Sequence, residues 1–136
     1  MARNVLVDAG FLVALFNRRD SHHAWAAAQA TGLTPPWNTC EAALAEAFHL
    51  LGPRGLASLD ALLRRQAARV AFDLAANLSP VLALMQKYAD VPMSLADACL
   101  VRMSEILAEP VLLTTDSDFR IYRRHGRQMV PHIVPS

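Results

Sequence analysis

Two short apolar runs each end on an aspartate: Val5-Leu6-Val7-Asp8 and Val111-Leu112-Leu113-Thr114-Thr115-Asp116. Unbroken Val/Leu runs predict strands of a parallel sheet covered on both faces. In open α/β sheets the working site lies beyond the carboxyl ends of the strands. Two carboxylates brought there from opposite ends of the chain repel each other in a low-dielectric cleft, and a divalent cation relieves that repulsion. Each aspartate also reads as a helix N-cap, with Asp118 a second acid two residues beyond Asp116. Glu46 stands mid-helix, where no cap accounts for it. Its neighbours three and four residues away are Ala42, Ala43, His49 and Leu50, which predicts a buried helix. A buried carboxylate needs a partner, here either a metal or an arginine. Asp97 follows Ser94 as Ser-x-x-Asp, a capping signature, yet sits at the border of its helix's apolar face, where a side chain can look into a cleft. Oxygen donors alone select hard cations such as Mg²⁺ or Mn²⁺. Sites of that kind activate water and stabilise charge on a phosphodiester.

The second chemically suggestive group is basic. Arg120, Arg123, Arg124, His125 and Arg127 follow Asp116 closely, and Arg18 and Arg19 follow the first helix. A cation cluster beside an acidic pocket suits a polyanion held while one phosphate is attacked, although each arginine also reads as part of a solvated face. His22 and His23 have no nucleophile to partner and read as ordinary helix-start residues. Phe119, Tyr122, Trp25 and Trp37 have the spacing of core packing rather than of base stacking.

The elements that must position these groups alternate along the chain. A strand at 4–8 is followed by a helix with Phe11, Leu12, Leu15 and Phe16 on one face. Asp20-Ser21 predicts the cap of a second helix that ends at Gly32. Pro35-Pro36-Trp37 reads as the start of an edge-like strand. Asn38, with Glu41 three residues on, predicts a capping box and a helix through Leu51, stopped by Gly52-Pro53. A further helix is expected over 56–69, a short strand over 70–74 and a helix over 79–88. Ser94 caps a long helix to Ala108, and the strand to Asp116 follows. A short helix then holds Phe119 and Tyr122, and a last strand spans 129–134. Alternation of this kind predicts one domain over 1–136, an α/β/α three-layer sandwich around a mainly parallel sheet of four or five strands.

Composition bounds the function without choosing it. The 136 residues are 54% hydrophobic, with a net charge of +1, so a folded domain is expected and charge alone names no partner. Twelve of the thirteen basic residues are arginine, a bias that matches GC-rich coding as well as phosphate binding. Cys40 and Cys99 fit no metal spacing and read as small buried hydrophobes. No apolar stretch reaches the 18 residues of a membrane span, and Asp8 interrupts the only leader-like segment, so a cytoplasmic location is expected.

With the four acids placed, the chain resembles the PIN-domain nucleases of the VapC toxin type. The likeness covers nearly the whole sequence. It rests on Val5-Leu6-Val7-Asp8-Ala9-Gly10, on Leu44-Ala45-Glu46-Ala47-Phe48, on the stretch from Tyr88 to Ala98, and on Leu113-Thr114-Thr115-Asp116-Ser117-Asp118-Phe119. The resemblance implies that Asp8, Glu46, Asp97 and Asp116 bind metal, with Asp118 auxiliary. It implies Mg²⁺- or Mn²⁺-dependent cleavage of RNA to 5′-phosphate and 3′-hydroxyl ends, a small antitoxin protein as partner, and a homodimer. Two positions depart from the family pattern: Ala9 stands where many relatives carry a hydroxyl, and Ser94 where close relatives often carry an acid. Three other readings remain. An aspartyl-phosphate phosphatase wants an acid two residues after its nucleophilic aspartate, where this chain has Gly10. A receiver-like switch wants a lysine at the sheet end, and Lys87 is the only lysine. A PIN scaffold that binds without cutting has the same sequence signature.

Overall fold

In a computed structural model that describes residues 3–136, β1 (Asn4–Val7), β2 (Trp37–Thr39), β3 (Ala68–Val70), β4 (Pro110–Leu113) and β7 (His132–Ile133) form one sheet, ordered β3-β2-β1-β4-β7 and parallel throughout. Residues 1–2 of the expected domain lie outside the described residues. Register pairs Leu6 with Leu112 and Val7 with Leu113, so Asp8 and Thr114 emerge side by side from the two central strands.

The unbroken apolar runs have a direct explanation. Val5, Val7, Val111 and Leu113 point to one core, with α1 (Ala9–Phe16), α2 (His23–Gly32) and most of α3 (Glu41–Arg64). Leu6 and Leu112 point to the other, with α4 (Leu78–Lys87) and α5 (Leu95–Ile106). Alternate side chains face opposite sides of a strand, so a sheet covered on both faces demands hydrophobes at every position. The result is the expected α/β/α sandwich. Phe11 packs edge-on against Trp25 and Trp37, and Phe119 against Tyr122, so all four candidate stacking aromatics belong to the packing. Cys40 and Cys99 are buried free thiols. Among the described residues, no helix is long and apolar enough to cross a membrane.

Several local expectations shift. Asn38 is not a helix cap, and β2 is not at an edge. Asn38 lies within a strand flanked by β1 and β3, donating its side-chain amide to Val5 O, while Thr39 Oγ1 donates to Val7 O. Polar side chains satisfied across neighbouring strands mimic a cap in sequence. The helix begins at Glu41, with Cys40 as its N-cap and no side-chain cap bond. The break expected at Gly52-Pro53 is present: Gly52 interrupts the helical path with a φ of 63°, a conformation that glycine adopts without strain, and a second helical half follows. The second half ends at Arg64, and Arg69, expected in that helix, sits in β3. The strand expected over 70–74 thus comes earlier. The single strand expected over 129–134 is two: β6 (Gln128–Met129) pairs antiparallel with β5 (Arg123–Arg124), and β7 joins the main sheet beyond Pro131.

Candidate metal centre

At the carboxyl end of the sheet, a cavity of about 280 Å³ is lined by Asp8, Glu46, Asp97 and Asp116, floored by Ala96 and Leu100 and rimmed by Leu50. Two strand ends and two helices from opposite layers therefore deliver four acids to one cleft.

Asp8 follows β1 and caps α1. Its Oδ1 accepts from Phe11 N at 2.8 Å, and its Oδ2 accepts from the Thr114 hydroxyl. Capping and cleft-lining are thus performed by one side chain. The carboxyl is buried, and its pKa is pushed up to about 7, chiefly by burial and further by the charges of Asp97 and Asp116. The hydrogen bonds from Thr114 and Phe11 act in the opposite direction. Thr114 is fully buried and bonds twice, because its oxygen also accepts from Asp116 N at 2.9 Å. That acceptance directs its proton toward Asp8 and fixes the two aspartates relative to each other. Asp116 Oδ1 in turn accepts from Asp118 N at 2.8 Å. Gly10 lies at the foot of the cleft, where an added Cβ would collide with Thr115 Oγ1.

Asp97 belongs to a complete capping box on α5: Asp97 N donates to Ser94 Oγ at 3.0 Å, and Ser94 N to Asp97 Oδ2 at 3.3 Å. The same Oδ2 accepts from Tyr122 OH at 3.3 Å. Partial burial raises the Asp97 pKa, as does the charge of Asp116. Burial and the facing acids push the Tyr122 hydroxyl well above its ordinary range, so it remains a donor. The spacing of Tyr122 predicts packing alone; its hydroxyl on Asp97 is a long-range interaction that the sequence pattern does not reveal.

Glu46 corrects an expectation. The side chain is exposed rather than buried. The alanines around it let α3 pack closely on one face while Glu46 leans over the cleft from the other. No arginine pairs with it: the ion pairs among the described residues are Arg64–Asp60 and Arg102–Glu105.

The basic cluster is not in the cleft. Arg123 donates to the carbonyls of Arg120, Ile121 and Tyr122, and Arg124 to Ser104 O, so both guanidiniums brace the chain end. Arg120 is exposed and reaches Ser117 O. Asp118 supports Asp116 through its backbone and does not line the cavity. His23 Nδ1 bonds Ala14 O, away from the acids, and Arg18 is exposed outside the cleft.

The donor set fits a hard divalent cation. It is all oxygen and anionic, holds a buried aspartate, and includes no lysine or arginine among the residues that line the cavity. Among the described residues no three His, Cys, Asp or Glu side chains already stand at ligand spacing. Asp97 Oδ1, Asp116 Oδ2 and both Glu46 oxygens accept no protein hydrogen bond there, which leaves them available to an ion.

Comparison with known proteins places the fold. Residues 5–124 match the family model "PIN domain", a span that includes all four acids. The fold is similar to the crystal structure of the Mycobacterium tuberculosis toxin VapC20, described as cleaving the sarcin-ricin loop. The TM-score is 0.68 with 22% identity, over 85% of this chain and 92% of that one. No curated protein matches the sequence significantly. On the family match and the shared fold, the chain belongs to the PIN-domain family.

Proposed function

We propose that this chain is a metal-dependent endoribonuclease whose Asp8, Glu46, Asp97 and Asp116 hold Mg²⁺ or Mn²⁺. One observation carries the reading: four acids remote in sequence share one small cavity, and the most buried of them, Asp8, enters no ion pair among the described residues. A divalent ion bound there supplies Lewis acidity toward a phosphodiester oxygen and lowers the pKa of water. Asp8 and Asp116, fixed through Thr114, form the rigid wall of the site. Asp97, held by Ser94 and Tyr122, sets its depth. Glu46 closes from the solvent side. Gly10 keeps the approach to the acids free of side chain, and it also removes the acid–base group that an aspartyl-phosphate phosphatase would need at that position.

The VapC20 fold and the sequence resemblance support a narrower reading. The chain is the toxin of a type II toxin–antitoxin pair, acting on RNA in the cytoplasm as a homodimer and neutralised by a small antitoxin. That no three of these acids already stand at ligand spacing among the described residues favours one second reading, a PIN scaffold that binds RNA with weak or no cleavage. Incubation of the purified chain with single-stranded RNA in Mn²⁺, in EDTA, and beside Asp8→Asn separates the two. Cleavage that needs both Mn²⁺ and Asp8 supports the nuclease. Cleavage that survives EDTA and the substitution defeats the metal mechanism, and RNA retention without cleavage supports the scaffold.

A further inference from the structure

A second cavity adjoins the acid cleft. It measures about 210 Å³, is lined by Phe16, Asn17, Arg19 and Arg54 among others, and shares Leu50 with the cleft. Leu50 is 60% exposed, an apolar ridge between an acidic hollow and a basic one. The kink at Gly52 creates this arrangement. Before it, α3 presents Glu46 and Leu50; after it, the redirected helix presents Arg54 to the adjoining cavity. Arg19 comes from the loop between α1 and α2, which is shaped by its own side chains: Asn17 Oδ1 accepts from Arg19 N at 3.1 Å, and Asp20 Oδ1 from His22 N at 2.8 Å. Neither Arg19 nor Arg54 enters an ion pair among the described residues, so both guanidiniums keep their donors for an anion.

We infer that this cavity is a phosphate subsite for the RNA strand, holding between Arg19 and Arg54 a backbone phosphate that flanks the one at the acids. The inference rests on the nuclease reading for its ligand and extends it to strand direction: RNA enters over Leu50, along the kinked helix, rather than across the arginines of the β5–β6 hairpin. An arginine fork matches phosphate oxygens in pairs, and an apolar ridge between two phosphate positions gives a base or ribose a surface to lie on. The hairpin arginines are placed otherwise: Arg123 Nη1 and Arg124 Nη2 bond backbone carbonyls, and none of Arg123, Arg124 and Arg127 lines either cavity.

The test is RNA binding without cleavage. A 5′-fluorescein-labelled single-stranded 12-mer of mixed sequence is titrated in EDTA and followed by anisotropy at several salt concentrations. Arg54→Ala is compared with Arg65→Ala, which removes one charge from the end of the same helix outside both cavities. Arg19→Ala/Arg54→Ala gives the full effect, and far-UV circular dichroism checks the fold of each. The subsite predicts that the double variant binds about tenfold more weakly, and that its log–log salt slope is shallower by roughly 0.7 for each phosphate no longer neutralised. Arg65→Ala stays at wild-type affinity. Equal affinities for Arg54→Ala and Arg65→Ala, or no saturable wild-type binding, would overturn the subsite. Because no metal is present, this result is separate from that of the nuclease reading, which stands or falls on Mn²⁺-dependent cleavage.

Discussion

The two walls of the acid cleft are built differently. On the sheet side, Asp8, Thr114 and Asp116 leave adjacent strands in register, and the Thr114 hydroxyl bonds to both aspartates within a buried environment. On the helix side, Asp97 is held at one oxygen by its capping box and Tyr122, and Glu46 is exposed and unbonded. One wall is set by the fold and the other is adjustable. Burial weighs most on the sheet side, at Asp8. On the helix side Asp97 is partly buried and also caps α5, whereas Glu46 has no structural bond among the described residues.

Substitutions can break that contrast. Asp8→Asn is expected to have the largest effect, lowering Mn²⁺-dependent RNA cleavage beyond the roughly 10–100-fold typical of residues behind a metal ligand. It should also change the pH dependence of stability. The folded Asp8 carboxyl titrates near pH 7 against 3.8 for the ordinary group, so in EDTA the folded chain holds this proton where the unfolded chain has lost it. Stability therefore falls as pH rises from about 4 to 7 and levels above, by an amount on the order of a few kcal/mol. Thermal unfolding in EDTA should show this fall in wild type and a flatter profile in Asp8→Asn.

Glu46→Gln is expected to reduce cleavage by about a hundredfold or more while leaving stability within about 0.5 kcal/mol, as for an exposed side chain without partners. A large drop in stability would show that Glu46 has a structural partner and that the helix wall is not adjustable. Thr114→Val should do the reverse in proportion. It costs about 1–3 kcal/mol, because the partly buried Asp116 N–H and the buried Asp8 carboxylate lose their partner, and cleavage falls about 10–100-fold. Tyr122→Phe should have the smallest effect. Its ring packing is kept, and Mn²⁺ affinity measured by calorimetry weakens up to about tenfold. Unchanged affinity would assign the tyrosine to packing alone.

Much of this frame is readable from residue order, and the reasons differ by element. β1 and β4 are legible because burial on both faces leaves an unbroken apolar run, and α5 because Ser94 and Asp97 form a true capping box. Three of the four acids sit at element starts, where a capping signal marks them. What escapes depends on distant partners. Asn38 and Thr39 look like a helix start because their bonds go to Val5 and Val7, more than thirty residues away. Glu46 looks buried because alanine neighbours give apolar periodicity without saying which face is covered. The hairpin arginines look like a substrate platform, since sequence cannot show that Arg123 and Arg124 each turn a guanidinium nitrogen to backbone carbonyls and lie outside the cleft. Arg54 gives no signal, because only the backbone turn at Gly52 brings it beside the cleft.

Titration calorimetry of Mn²⁺ into the metal-free chain at pH 7.5, with Asp8→Asn and Arg65→Ala alongside, tests the central claim most directly. Saturable binding by wild type and Arg65→Ala that disappears in a folded Asp8→Asn chain is the predicted result. Wild type that takes up no Mn²⁺, or an Asp8→Asn chain that binds it equally well, would contradict the assignment of the four carboxylates to a metal centre.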